Sequence, residues 1–133
     1  MIKEFYQKIE THESIYKNII NNKSFEQKLL SMSLLIKDTI KNKGKIIFAG
    51  NGGSFADSLH ISAEFTGKFK TQRDSYPSLV LGANIAYTTA VANDYGYEKI
   101  FLREFDSCAK NSDLLICLTT SAKSNNIYDL VQL

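Results

Sequence analysis

Apolar residues follow two rhythms along this chain, one at helical spacing and one of short unbroken runs. From Ile2 to Ile20, the residues Ile2, Phe5, Ile9, Ile15, Ile19 and Ile20 recur at mostly helical intervals, with Lys3, Glu4, Lys8, Glu10 and Glu13 between them. That spacing predicts an amphipathic helix, with a break near Thr11-His12. Ser24 opens a second helix, since its hydroxyl suits a first-turn cap and Gln27, three residues on, completes a capping box. This helix is expected to end at Gly44. Leu29, Leu30, Met32, Leu34, Leu35, Ile36 and Ile40 cover more than one of its faces, a surplus that predicts burial against a sheet and a partner chain.

The short runs lie at Lys45 to Ala49, Ser78 to Leu81 and Asp113 to Leu118, with helical patterns between them. Runs of this kind are what buried parallel strands require. Pro77 stands just before the second run, where its missing N–H costs little. The alternation predicts an α/β fold, a three-layer open parallel sheet flanked by helices, with ligands collecting at the strand carboxyl ends. The loops after Ala49, Leu81 and Leu118 are therefore the ones that matter. We expect one domain over 1–133, with N-terminal helices at 1–44 and the α/β portion at 45–133. The pattern stops inside a helix that begins near Asn125, and three strands leave poorly protected edges, so further C-terminal sequence is expected to complete the domain.

Composition narrows the classes. The 133 residues are 44% hydrophobic, enough for one real core. A net charge of +2 carried on scattered lysines argues against nucleic acid as a partner, and the charges among the first twenty residues argue against a signal peptide or a membrane span. Cys108 and Cys117 stand nine apart without metal or redox spacing, as buried, reduced thiols would. These points together predict a cytoplasmic protein whose partners are set by its sites.

The loop Gly50-Asn51-Gly52-Gly53-Ser54 leaves the first strand and enters a helix for which Ser54 is the expected cap. Its N–H groups and the helix dipole suit an anion. It is neither a P-loop, since no Gly-Lys-Ser/Thr follows, nor a dinucleotide fingerprint, since Phe55 stands where the last glycine belongs. A capped tight turn explains this loop alone equally well. Thr119-Thr120-Ser121-Ala122-Lys123-Ser124 leaves the third strand in the same way, and two such loops on one sheet edge favour a phosphorylated ligand. His60 and Glu64, four apart on the first-loop helix, suit a divalent metal or a general base. Asn93-Asp94-Tyr95-Gly96 reads as helix-stop chemistry, and Lys68, Lys70 and Arg73 as a solvated face.

Taken together, Gly50 to Ser54, His60 to Glu64, Thr66-Gly67-Lys68-Phe69, Ala92 to Gly96 and Thr119 to Ser121 resemble the bacterial phosphoheptose isomerases of the sugar isomerase domain class, with a flavodoxin-like sheet. The resemblance implies a cytoplasmic homotetramer, with the N-terminal helices used in oligomerisation. It implies conversion of sedoheptulose 7-phosphate into D-glycero-D-manno-heptose 7-phosphate through an enediol, for lipopolysaccharide core or capsule. Glu64 matches the catalytic base; Asn51, Gly52, Gly53 and Ser54 the first substrate loop; Asn93 and Asp94 a second contact; Thr119, Thr120, Ser121 and Ser124 the phosphate loop. His60 and Glu64 match two ligands of a zinc ion, Zn(2+), one per subunit. The other two ligands, a Gln and a His that is also the partner acid/base, would fall beyond Leu133, so the 133 residues alone are expected to be inactive. Thr119 and Ala122 depart from the usual serine and glycine, and Ala122 would matter if a positive φ is needed there. The competing readings are a non-catalytic protein of the DnaA initiator-associating type, which lacks the glutamate four after the histidine, and a sugar-phosphate sensor.

Overall fold

The structure is a computed structural model that describes residues 2–132. It divides into two compact units, Met1–Leu35 and Ile36–Leu133. The first holds α1 (Ile2–Ile20) and most of α2 (Lys23–Lys41). The expected break at Thr11-His12 does not form: the Thr11 hydroxyl donates back to the Gln7 carbonyl at 2.8 Å, within the helical register. The cap of α2 is Asn22 rather than Ser24, because the helix starts two residues earlier and Asn22 Oδ1 accepts from the Phe25 N–H at 3.1 Å. Neither helix has a buried residue. The helix also stops at Lys41, ahead of the expected Gly44.

The second unit is built on three parallel strands, β1 (Ile46–Gly50), β2 (Ser78–Val80) and β3 (Leu114–Leu118), in the order β2-β1-β3. Each expected strand forms, with its ends shifted by one residue at most. The central strand is buried along its length, and its alternate residues feed two cores. Ile47 and Ala49 pack with Leu81, Val91, Ile100, Phe101, Ile127 and Leu130 from one side, where α4 (Ile85–Tyr95), α5 (Ile100–Cys108) and α6 (Asn125–Val131) lie. Ile46 and Phe48 pack with Val80 on the other side, against Ile36, Phe55 and Phe65, the last two from α3 (Gly53–Thr66). Helix, sheet and helix make the three expected layers.

The starts of β1 and β3 are stapled by one carboxylate. Asp113, whose side chain is 4% exposed, accepts from the Lys45 N–H at 2.9 Å, from the Lys110 N–H at 2.8 Å and from the Lys45 ammonium, which also donates to the Cys108 carbonyl at 2.7 Å. Gly44 precedes this staple by necessity of space: a Cβ there would lie 1.9 Å from the Ser112 carbonyl oxygen. The Ile46 N–H takes the Pro77 carbonyl at 3.0 Å, so proline contributes an acceptor and its missing donor is not called on.

Candidate functional site

With strand order β2-β1-β3, the chain leaves β1 on one side for β2 and on the other for β3, so the β1 and β3 loops flank the topological switch point of the sheet. The first loop turns sharply at Gly52, φ 56°, which occupies the N-cap position of α3 and makes no side-chain cap. Ser54 is thus the second helical residue and not the cap; the turn is closed by the Asn51 carbonyl, which accepts from the Ser54 N–H at 3.0 Å. Gly53 differs from its neighbour. Its φ is ordinary, and a Cβ added there would meet nothing within 4 Å.

The Asn51 side chain links three elements. Its amide pairs reciprocally with that of Asn126 on α6, at 2.9 and 3.0 Å, and its Oδ1 also accepts from the Tyr97 hydroxyl at 2.9 Å. Around them lies a cavity of about 450 Å³ lined by Asn51, Tyr97, Glu98, Lys123, Ser124, Asn125 and Asn126. A smaller one of about 170 Å³ reaches from Asn51 past Gly82 and Thr88 of the second-strand loop and α4. A third, of about 450 Å³, lies across α3 and β3 and brings Ser54, Asp57 and His60 to Thr119 and Thr120. The structure therefore gathers Asn51, Gly52, Ser54, His60, Thr119, Thr120 and Ser124 around the switch point.

Within the third loop the hydroxyls already serve the backbone. Thr119 Oγ1 accepts from the Ala122 N–H at 3.0 Å and Ser121 Oγ from the Lys123 N–H at 3.4 Å. Ala122 adopts φ 52°, the left-handed conformation in which a glycine would be unstrained. Ser124 takes the N-cap position of α6 through its carbonyl, with no side-chain cap bond.

Other expected residues lie apart. Asn93 and Asp94 are exposed near the end of α4 and bond to each other at 2.9 Å, and neither lines the three cavities. His60 Nε2 is 3.4 Å from Glu64 Oε1, with side chains 75% and 35% exposed. This corrects the expected zinc centre. Among the described residues no group of three or more His, Cys, Asp or Glu side chains could hold a metal ion, and His60 and Glu64 turn to each other as an exposed pair. Arg73 is also misread by its charge. Its guanidinium donates to the carbonyls of Glu64, Phe65, Gly67 and Asp74 and lies 4.2 Å from the Tyr76 ring, so it caps the carboxyl end of α3. Both cysteines are free and half-buried, and burial pushes the Cys117 thiol up to about 11.

The SIS domain profile matches residues 6–132. The chain belongs to the SIS domain family. Within it, the chain groups with the phosphoheptose isomerases: it is 36% identical over 132 residues to that of Aliarcobacter butzleri, covering 99% of this chain and 67% of the relative. It is 39% identical over 98 residues to that of Campylobacter concisus, covering 74% of this chain and 52% of the relative. A solved phosphoheptose isomerase from Neisseria gonorrhoeae superposes with a TM-score of 0.80 at 27% identity, over 98% of this chain and 65% of that one. One from Francisella tularensis shares the fold with a TM-score of 0.91 at 24% identity, over 98% of this chain and 68% of that one. The chain thus spans about half to two thirds of the length of these relatives. Among the described residues no helix is long and apolar enough to cross a membrane.

Tyr97 and Asn126, which bond to Asn51 at the switch point, and Thr88, which lines the smaller cavity beside it, are the residues that sequence reasoning missed. Asn126 carried a signal: it adjoins Ile127 and precedes Leu130 by four, which places a polar side chain on the apolar face of a short helix.

Proposed function

We propose that the protein acts as a phosphoheptose isomerase, converting sedoheptulose 7-phosphate into D-glycero-D-manno-heptose 7-phosphate in the cytoplasm, as part of a homotetramer that supplies heptose for lipopolysaccharide core or capsule. Thr119, Thr120, Ser121 and Ser124 hold the phosphate, and Asn51, Gly52, Gly53 and Ser54 the sugar. Glu64 takes a proton from C1 of the ketose; the C1–H electrons form the C1=C2 bond of an enediol as the C2 oxygen is protonated. Return of a proton to C2, with loss of the O1 proton, leaves the aldehyde.

The observation that carries this reading is Gly53. The fold asks nothing of it: its φ is ordinary, a Cβ would meet open space, and alanine would suit its helical position better. A bare backbone at that place, beside Asn51 and at the switch point, leaves room for a ligand to come close. The name shared by the relatives supplies the substrate class.

A second reading, a sugar-phosphate sensor without turnover, draws support from Glu64, whose carboxylate lies 3.4 Å from His60 Nε2 and which lines none of the three cavities. Deuterium uptake separates the two. In D2O the protein expressed from its complete reading frame is expected to exchange solvent deuterium into sedoheptulose 7-phosphate, and Glu64→Gln to slow that exchange by roughly 10²- to 10⁴-fold, as loss of a general base does. Wild-type rates in Glu64→Gln would remove Glu64 as the base. Binding of the sugar phosphate with no exchange would establish the sensor.

A further inference from the structure

Asn51 is held by two side chains that play no part in the reading above. Asn126 is 2% exposed, and its amide meets that of Asn51 twice: Asn51 Nδ2 donates to Asn126 Oδ1 at 2.9 Å, and Asn126 Nδ2 donates back to Asn51 Oδ1 at 3.0 Å. The Tyr97 hydroxyl donates to the same Asn51 Oδ1 at 2.9 Å. An amide oxygen has two lone pairs, so Oδ1 is fully used, whereas Nδ2 has two N–H groups and only one is taken. The other belongs to a side chain that lines both the 450 Å³ cavity with Lys123 and Ser124 and the 170 Å³ cavity with Gly52 and Thr88.

We infer that Asn126 and Tyr97 are positioning residues that make Asn51 a one-sided donor, offering a single fixed N–H to a carbonyl or hydroxyl oxygen of the bound sugar. The inference rests on the assignment of the Asn51 loop to the sugar. An unrestrained asparagine can turn either its oxygen or its nitrogen to a ligand. This one does not turn over alone, because that would set its NH2 against the Asn126 NH2; a reversed Asn51 needs the buried Asn126 amide to reverse with it and the Tyr97 hydroxyl to accept in place of donating. The consequence is selectivity: a sugar hydroxyl or carbonyl can accept at this place, while a protonated amine, which has no lone pair to give, cannot. Three elements enforce the orientation, since Asn51 follows β1, Tyr97 opens the short turn after α4, and Asn126 lies in α6. A ligand therefore meets a donor whose ordering cost falls on the fold and not on binding.

The test follows the Asn51 side-chain NH2 in ¹⁵N–¹H spectra while the full chain is titrated with sedoheptulose 7-phosphate and, separately, with inorganic phosphate. Two separate proton signals are expected: the one held by Asn126 stays in place, and the other moves with the sugar phosphate but not with inorganic phosphate. Tyr97→Phe removes only the hydroxyl. It is expected to weaken sugar-phosphate binding about tenfold, to leave the inorganic phosphate response unchanged, and to keep the thermal transition of the wild type. Asn126→Ala is expected to weaken sugar binding further and to let both Asn51 protons move; if it fails to fold, Tyr97→Phe decides. Equal sugar-phosphate affinity in Tyr97→Phe and wild type overturns the inference and leaves the proposed function standing. So does a titration that moves backbone amides of the Asn51 and Thr119–Ser124 loops without moving either Asn51 side-chain proton. No response of any loop amide overturns both.

Discussion

At φ 52° Ala122 pays a steric cost that a glycine would not, since its Cβ crowds the following carbonyl. Its N–H bond to Thr119 Oγ1 holds it there. Ala122→Gly trades that strain, about 1–2 kcal/mol, against the greater freedom of an unfolded glycine, about 0.5–1 kcal/mol. A net gain of about 0.5–1 kcal/mol is expected. Calorimetry should show a midpoint higher by a few degrees, about 2–5 °C for a chain of this size; an unchanged or lower midpoint would show that the loop does not bear this strain. Sequence pattern could flag the position, because a usual glycine is replaced there. It could not reveal Tyr97 or the role of Asn126, whose meaning depends on a partner 46 and 75 positions away. Nor could it tell that Asn93 and Asp94 bond to each other and line none of the three cavities.

The elements themselves were legible where burial dictates them. A central strand buried on both faces must be apolar throughout, and Ile46-Ile47-Phe48-Ala49 is. Helix starts were less legible, because Asn22 and Ser24 can both cap and only backbone geometry chooses, while Gly52 took the place expected for Ser54 by adopting a positive φ. The joint between β1 and β3 is likewise set by long-range pairing. Burial alone would raise the pKa of Asp113, but the Lys45 ammonium and the N–H groups of Lys45 and Lys110 outweigh it and hold the carboxyl below its ordinary value. The ionised form is therefore favoured in the folded chain. Its contribution is present above the unfolded carboxyl value, near 3.9, and is lost as pH falls through the lower folded value. Asp113→Asn is expected to cost about 2–3 kcal/mol at pH 7, from an ion pair whose carboxylate is 4% exposed. Urea denaturation should find that the gap between variant and wild type narrows below about pH 4. A gap that does not change between pH 7 and pH 3 would mean that the carboxylate charge does not stabilise this joint.

For the molecule as a whole, the unresolved demand is apolar surface on α1 and α2. Eight large apolar residues on α1, from Ile2 to Ile20, and six on α2, from Phe25 to Leu35, are exposed. Isolated exposed leucines are ordinary, but this density on two helices is not. Covering half of these side chains would contribute on the order of 10–20 kcal/mol at about 1.5–3 kcal/mol each, against an association cost of about 4–15 kcal/mol. That balance is the physical support for the self-association proposed above, which a closed symmetric assembly would satisfy with one kind of surface repeated. Four copies of this 133-residue chain, 15.0 kDa each, have a mass of about 60 kDa. Light scattering after size exclusion at micromolar concentration is expected to give that mass. Leu30→Glu, which sets a charge on a position 61% exposed and therefore outside any core of the free chain, is expected to lower the mass while leaving the helical circular dichroism of the β1–β3 unit intact. A wild-type mass of one chain would remove the tetramer from the proposal. An unaltered mass in Leu30→Glu would move the contact to another face of these helices.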